Sequence, residues 1–274
     1  MLTAFGIFLV GLPLLLLSEY IVYPIALGIL ASIAVFELLR ALGVHREYFV
    51  SIPAYLIALL LPVFAHSGFV SADRQKAYIL LIALVLFGFL MWLMACAVLS
   101  RGRIKYDLIS PAFMAVTYVT VSFSSLSLIR YMENGAFFFG LVFVTAWMCD
   151  SFAYFTGMLF GKHKLAPELS PKKTIEGSIG GIVFAIIGCV LYGVIVEAVS
   201  PREADYIILA ITGLFLSVVA QIGDLFASLI KREHGIKDYS KLLPGHGGIM
   251  DRFDSILAIS TVLMAICFLF PPFI

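Results

Sequence analysis

Four carboxylates stand where the sequence is otherwise built of apolar runs: Asp150, Asp224, Asp251 and Asp254. A charged side chain at membrane depth is expensive, so each of them is a candidate for function before it is a candidate for structure. At a rise of about 1.5 Å per residue, Asp150 lies about 15 Å from the loop-facing end of its run and Asp224 about 10 Å from the end of its own. Asp251 and Asp254 enter just beneath the surface on that same side. All four can therefore meet in one cavity open to the basic loops. The simpler alternative is that each pairs structurally with a basic or hydroxyl neighbour.

The company these residues keep favours phosphate and metal chemistry. Gln221, Asp224, Ser228, Lys231 and Arg232 follow one another at steps of three, four, three and one, so they share a helix face, acid deep and base shallow. A salt bridge from Asp224 to Ser228 and Lys231 would explain that stripe but not the loop after it. This loop carries Lys237, Asp238, Ser240, Lys241, Pro244, Gly245, His246, Gly247 and Gly248 before reaching Asp251, Arg252 and Asp254. Gly245, Gly247 and Gly248 let backbone approach a ligand and present amide hydrogens to an anion. Lys237 and Lys241 offer cations, and His246 a donor to phosphate or a group to position water. Asp251, Asp254 and Ser255 share one helix face. Such a set suits a Mg²⁺–nucleotide, because Mg²⁺ takes few protein carboxylates and keeps phosphate oxygens and water. A basic loop lying on anionic lipid is the plainer alternative. Residues 161–174 form a second basic patch, with Lys162, Lys164, Lys172 and Lys173. Ser170 or Thr174 is positioned to cap the following helix, with Glu176 in its first turn, and such a helix start is an anion site. Gly177, Gly180, Gly181 and Gly188 permit close helix packing, within the chain or across a dimer.

The elements that must position these groups are membrane helices. Hydrophobic residues make up 62% of the 274 and charged residues 13%, against roughly 45–50% and 25% in ordinary globular chains. Mean hydropathy is +1.08. Lipid must be the solvent, which excludes secreted, disordered, cytosolic and nucleic-acid-binding classes, and a net charge of +1 excludes long-range steering. The expected fold is all-α, a polytopic integral membrane protein with about nine transmembrane helices, over 2–17, 20–39, 49–64, 77–99, 108–129, 136–160, 175–199, 205–230 and 248–271. The first and third are short enough to be tilted or partly interfacial. Continuous apolar runs, rather than alternation, exclude a barrel. The first lacks a basic leader and a small-residue cleavage site, so it reads as a retained span. Cys96, Cys149, Cys189 and Cys267 lie in apolar runs without ligand spacing and read as packing residues.

Lysine and arginine crowd the loops 40–48, 100–107, 161–174 and 231–247, thirteen against four in the remaining loops. The positive-inside rule then puts these loops, and the N-terminus, in the cytoplasm and the C-terminus outside. The division expected is a scaffold over 1–135 and a catalytic part over 136–274 with the cytoplasmic loops 161–174 and 231–247. No internal repeat is visible, unlike an inverted-repeat transporter.

The run Ser228-x-x-Lys231-Arg232-x4-Lys237-Asp238-x-Ser240-x-x-Leu243-Pro244-Gly245-His246-Gly247-Gly248-x-x-Asp251-Arg252-x-Asp254 resembles the signature of the phosphatidate cytidylyltransferases, the CDP-diacylglycerol synthases. An upstream block from Asp150 to Gly177, with Tyr154, Gly157, Gly161, Pro167, Ser170, Pro171, Lys172, Lys173, Thr174 and Glu176, is similar to the same family. The two blocks cover about a fifth of the chain, all of it C-terminal. The resemblance implies transfer of CMP from CTP to phosphatidate, giving CDP-diacylglycerol and pyrophosphate, with Mg²⁺ as cofactor in the inner membrane. Against that reaction Asp224 and Asp251 are assigned to metal, and Asp254 and Asp150 to a second cation or a supporting role. Lys172, Lys173, Lys231, Arg232 and Lys237 are assigned to the triphosphate and the lipid phosphate. Ser228, Asp238, Gly245, Gly247 and Gly248 are expected to contact substrate, and His246 to serve catalysis. CTP, phosphatidate and membrane lipid are the expected partners, with no nucleic acid, and a homodimer is one use of the glycine face. A CTP-dependent polyprenol kinase and a cation-coupled transporter are the competing functions.

Overall fold

A computed structural model describes residues 20–67, 72–101, 104–243, 245, 247–273 of the chain, with the side chains of 66–76 left aside. Among the described residues, eight helices are long and apolar enough to cross a membrane. They are α1 (Val22–Ala41), α2 (Tyr48–Ser67), α3 (Ala72–Leu99), α4 (Tyr106–Tyr131), α5 (Gly135–Phe160), α6 (Ile175–Val199), α7 (Tyr206–Glu233) and α8 (Met250–Leu269). The chain is thus an all-α polytopic membrane protein. The expected stretch 2–17 lies outside the described residues. The stretch 49–64, read as short, is a helix of 20 residues, because the polar residues that bound its apolar run still satisfy their backbone groups inside the helix.

The chain forms two compact units. The first takes the described residues up to Tyr131 together with Glu233–Arg252, and the second takes Met132–Arg232 and Phe253 onward. The segment carrying Lys237 to Asp251 therefore packs with the N-terminal helices. The division expected from sequence gave it to the C-terminal half.

In the first unit, α4 runs through the interior, with Val116, Val119, Phe123 and Ile129 fully buried. Tyr23 donates to the Leu126 carbonyl at 3.4 Å and Tyr78 to the Leu61 carbonyl at 2.6 Å. Pro53 lies within α2 and has no N–H for the Phe49 carbonyl four residues earlier. Trp92 of α3 supplies it, its indole Nε1 donating to Phe49 O at 2.7 Å. Hydrocarbon around a helix offers no water to take that place. Trp92→Phe is therefore expected to destabilise by about 1–3 kcal/mol. The loss should shrink in a Pro53→Ala background, where the alanine N–H can serve Phe49. Thermal unfolding in detergent of the four proteins checks it; equal losses in both backgrounds would refute the account.

In the second unit, α5 and α6 pack closely. A Cβ on Gly177 would stand 2.6 Å from the Ala153 carbonyl, one on Gly181 2.9 Å from the Cys149 carbonyl, and one on Gly188 2.7 Å from Met148. The glycine face anticipated in the sequence is thus used inside the chain, against α5. Cys149, Cys189 and Cys267 are buried and free of disulfides, as packing residues should be, while Cys96 is half-buried. Asp205 caps α7, its carboxylate accepting from the amides of Ile207 and Ile208, both at 3.0 Å.

The segment 161–174, read as a plain loop, is a hairpin: β1 (Lys164–Ala166) pairs antiparallel with β2 (Ser170–Thr174), Lys164 facing Thr174 and Ala166 facing Ser170. Pro171 holds its own φ and biases Ser170 toward extended backbone, which helps make the strand.

Candidate functional site

Thr174 ends β2 and caps α6, its hydroxyl accepting from the Gly177 amide at 3.1 Å, so of the two caps considered Thr174 is the one used. Glu176 in the first turn of α6 reaches back to the entry of the hairpin. It accepts from the Lys162 amide at 3.1 Å and pairs with His163 Nδ1 at 2.6 Å. The Arg232 Nε donates to the Leu169 carbonyl at 3.4 Å, holding the hairpin turn to the end of α7. The hairpin is therefore pinned at both ends, and the lysines of β2 have a defined direction.

Lys172 is exposed, whereas Lys173 is half-buried and forms an ion pair with Asp224 of α7. This pair runs across elements, unlike the one along the helix to Ser228 and Lys231 considered from sequence. Beside it Gln221 spans to α6: the Ser178 hydroxyl donates to its side-chain oxygen, and its amide donates to the Ser178 carbonyl at 3.2 Å and the Cys149 sulfur at 3.5 Å. Asp150 of α5, Lys172, Lys173, Ser178, Gln221 and Asp224 line one cavity of about 420 Å³. Asp150 lies within electrostatic reach of Asp224 and Lys173. Asp254 of α8 lies within reach of Asp224, Lys231 and Asp150. Within this unit Asp150 and Asp224 line the cavity with Lys173, and Asp254 lies within electrostatic reach of them, whereas Asp251, expected in the same cavity, belongs to the first unit. Ser228 is half-buried on the same helix as Asp224.

The first unit holds the rest. Arg40, His234, Lys237, Asp238, Ser240 and Lys241 line a cavity of about 690 Å³. The loop above it turns back on itself, the Leu243 amide donating to the Gly247 carbonyl at 2.9 Å. Gly245 and Gly247 have φ of 78° and 81°, backbone that favours glycine. The amides these turns present are aimed at the protein's own carboxylates. Asp251 Oδ2 accepts from Tyr239 N at 2.8 Å and Gly248 N at 2.9 Å. Glu37 of α1, 1% exposed, accepts from Ser240 Oγ at 2.6 Å, Ile249 N at 3.0 Å and Met250 N at 2.8 Å. His246 lies outside the described residues.

Glu37 was missed by the sequence reading. The signal was available, since a carboxylate inside the stretch 20–39 meets the same test that selected Asp150. Its place one turn before Arg40 let it pass as the end of the span.

For Mg²⁺ the donor chemistry fits. Asp150, Asp224 and Asp254 are hard oxygen donors within electrostatic reach of one another, with Lys173 and Lys231 beside them. Among the described residues no three of His, Cys, Asp and Glu gather closely enough to hold a metal as a complete protein cage. Mg²⁺ does not require one, because one or two carboxylates suffice when phosphates and water complete its shell.

Fold and site define a polytopic helical membrane protein whose helix ends carry acidic and basic side chains in a cavity fit for phosphates. The Cytidylyltransferase family model matches residues 1–270. A phosphatidate cytidylyltransferase of Bacillus subtilis is 36% identical over 253 residues, 90% of this chain and 89% of that one. Those of Staphylococcus haemolyticus and Staphylococcus aureus are 35% and 36% identical, each over 96% of this chain and 95% of theirs. The chain belongs to the cytidylyltransferase family.

Proposed function

We propose that the protein transfers CMP from CTP to phosphatidate, releasing pyrophosphate and leaving CDP-diacylglycerol in the membrane. A phosphate oxygen of phosphatidate forms the new bond to the α-phosphorus of CTP as the bond to pyrophosphate breaks. Phosphate monoesters lose their second proton with a pKa of about 6, so the nucleophile needs no strong base. The obstacle is electrostatic, an anion approaching a polyanion, and fixed cations lower it. The observation that carries this reading is the Lys173–Asp224 pair in a cavity shared with Asp150 and Lys172. It supports a reading in which lysines of the hairpin meet the substrate phosphates with a carboxylate of α7 beside them.

Lys172, Lys173, Lys231 and Arg232 are assigned to neutralising substrate phosphates, and Lys237 and Asp238 to contacts with CTP in their own unit. Asp224 and Asp254 would hold Mg²⁺, which supplies charge neutralisation to the phosphates and leaving group. Asp251 remains assigned to metal, on its sequence spacing, and His246 to catalysis. The glycine face being occupied by α5, a homodimer would use another surface. The test is purified protein in detergent with labelled CTP, phosphatidate and Mg²⁺, followed by thin-layer separation. CDP-diacylglycerol and pyrophosphate are expected; a phosphorylated polyprenol with CDP as by-product would point to the kinase instead, and ion flux in vesicles to a transporter.

The protein is further proposed to sit in the inner membrane with loops 161–174 and 231–247 in the cytoplasm, on the asymmetry of lysine and arginine. A cysteine at Lys241, in a protein freed of its native cysteines, should react with an impermeant thiol reagent only from the cytoplasmic side. Reaction from outside would invert the topology.

A further inference from the structure

We infer that Glu37 is a positioning residue for the nucleotide-binding loop: its buried carboxylate ties Ser240 to Ile249 and Met250 and so holds Lys237 and Lys241, on either side of Ser240, for the triphosphate. The inference rests on the proposed reaction for the identity of the ligand. Glu37 sits near the C-terminal end of α1, one turn before Arg40, which lines the same cavity as Lys237, Ser240 and Lys241. Its Oε1 accepts from the Ser240 hydroxyl and the Ile249 amide, and its Oε2 from the Met250 amide. The three donors flank the glycine loop, one at its start and two at its end. Glu37 thus joins the two sides of the loop at a single point. Backbone room confirms how closely the parts fit. A Cβ on Gly248 would run into the Glu37 carboxylate, so glycine at 248 answers the approach of this side chain. Charge-assisted bonds from backbone amides to a buried carboxylate are the strong kind, and a carboxylate so placed does not reorient. Glu37 touches no reacting atom in this account. It acts through Ser240, which lies between Lys237 and Lys241.

The experiment compares wild type with Glu37→Ala, Glu37→Gln, Gly248→Ala and the double variant Glu37→Ala/Gly248→Ala, each as the full chain in detergent. Three readouts are taken: amide exchange at Ile249 and Met250, CTP affinity by equilibrium binding, and the separate KM values for CTP and phosphatidate. Glu37→Ala should expose both amides, lower the melting temperature as unpaired buried donors do, and weaken CTP about tenfold, while KM for phosphatidate changes little. Glu37→Gln keeps one acceptor and should lie between, which serves as the measurement if the alanine variant does not fold. Gly248→Ala should resemble Glu37→Ala. Added to it, Gly248→Ala should cost little more, because the colliding carboxylate is gone. Unchanged CTP affinity in Glu37→Ala, equal losses for both substrates, or additive effects of the two substitutions would each overturn the inference. A wild type that binds CTP yet makes no CDP-diacylglycerol would overturn the proposed reaction, and Glu37 would then be judged on affinity and exchange alone.

Discussion

Asp224→Asn should lower turnover by about 10³-fold, the scale of losing a pre-placed group that stabilises charge in a transition state. The substitution keeps the size and polarity of the side chain and removes only its charge. Folding should tolerate it. Asp224 and Lys173 are each 28% exposed, and a partly solvated pair contributes no more than about 1 kcal/mol. Melting in metal-free buffer should therefore stay near wild type, while the rise in melting temperature on adding Mg²⁺, expected for wild type, should disappear. The role as mere counter-ion to Lys173 predicts otherwise. On that view Lys173→Ala would strand a carboxylate, and adding Asp224→Asn would restore what the first change removed. A Mg²⁺-induced rise in melting temperature that survives in Asp224→Asn would show that Asp224 serves only the lysine; a rise lost in Asp224→Asn but kept in Lys173→Ala supports the metal assignment.

Asp251→Asn is expected to behave differently, and the difference comes from the loop. One oxygen of Asp251 takes the amides of both Tyr239 and Gly248. An asparagine oxygen is a weaker acceptor for two donors, and its NH₂ cannot accept at all. Activity should fall at least 10²-fold, and the melting temperature should fall as well, since a buried amide left unpaired costs about 1–3 kcal/mol. A stability equal to Asp224→Asn would mean that the loop does not depend on this carboxylate. Sequence spacing alone treats the two aspartates as equivalent and would predict two variants that melt like wild type; the hydrogen bonds separate them.

Much of the fold was legible because the solvent is lipid. Within hydrocarbon each segment must satisfy its own backbone, so an apolar run of sufficient length is already a helix. Helix ends from α1 to α8 fall within a few residues of the apolar limits, extended where polar residues such as Lys231 and Arg232 continue α7 into the last turn. The hairpin was not legible. Its two strands are short and charged, and what holds them is Glu176 on one side and Arg232 on the other. The site was half legible. Asp150, Asp224 and Asp254 announced themselves as charges at depth, and the structure brings these three within reach of one another. The glycines of the loop were read as making room for a ligand, whereas Gly247 and Gly248 crowd Asp251 and Glu37.

The sequence by itself determined that this chain crosses a membrane many times, which loops carry its basic residues, and which carboxylates are too deep to be ornamental. Those are local properties, set by hydropathy and helical spacing over about 20 residues. Only the tertiary structure decided what each carboxylate faces. Lys173 and Asp224 are 51 positions apart and Glu37 and Met250 are 213 apart, and no periodicity within one helix encodes a partner on another. Packing chose them: small residues brought α5 and α6 together, a pinned hairpin aimed Lys173, and a glycine at 248 left space for the one carboxylate that ties the loop to α1.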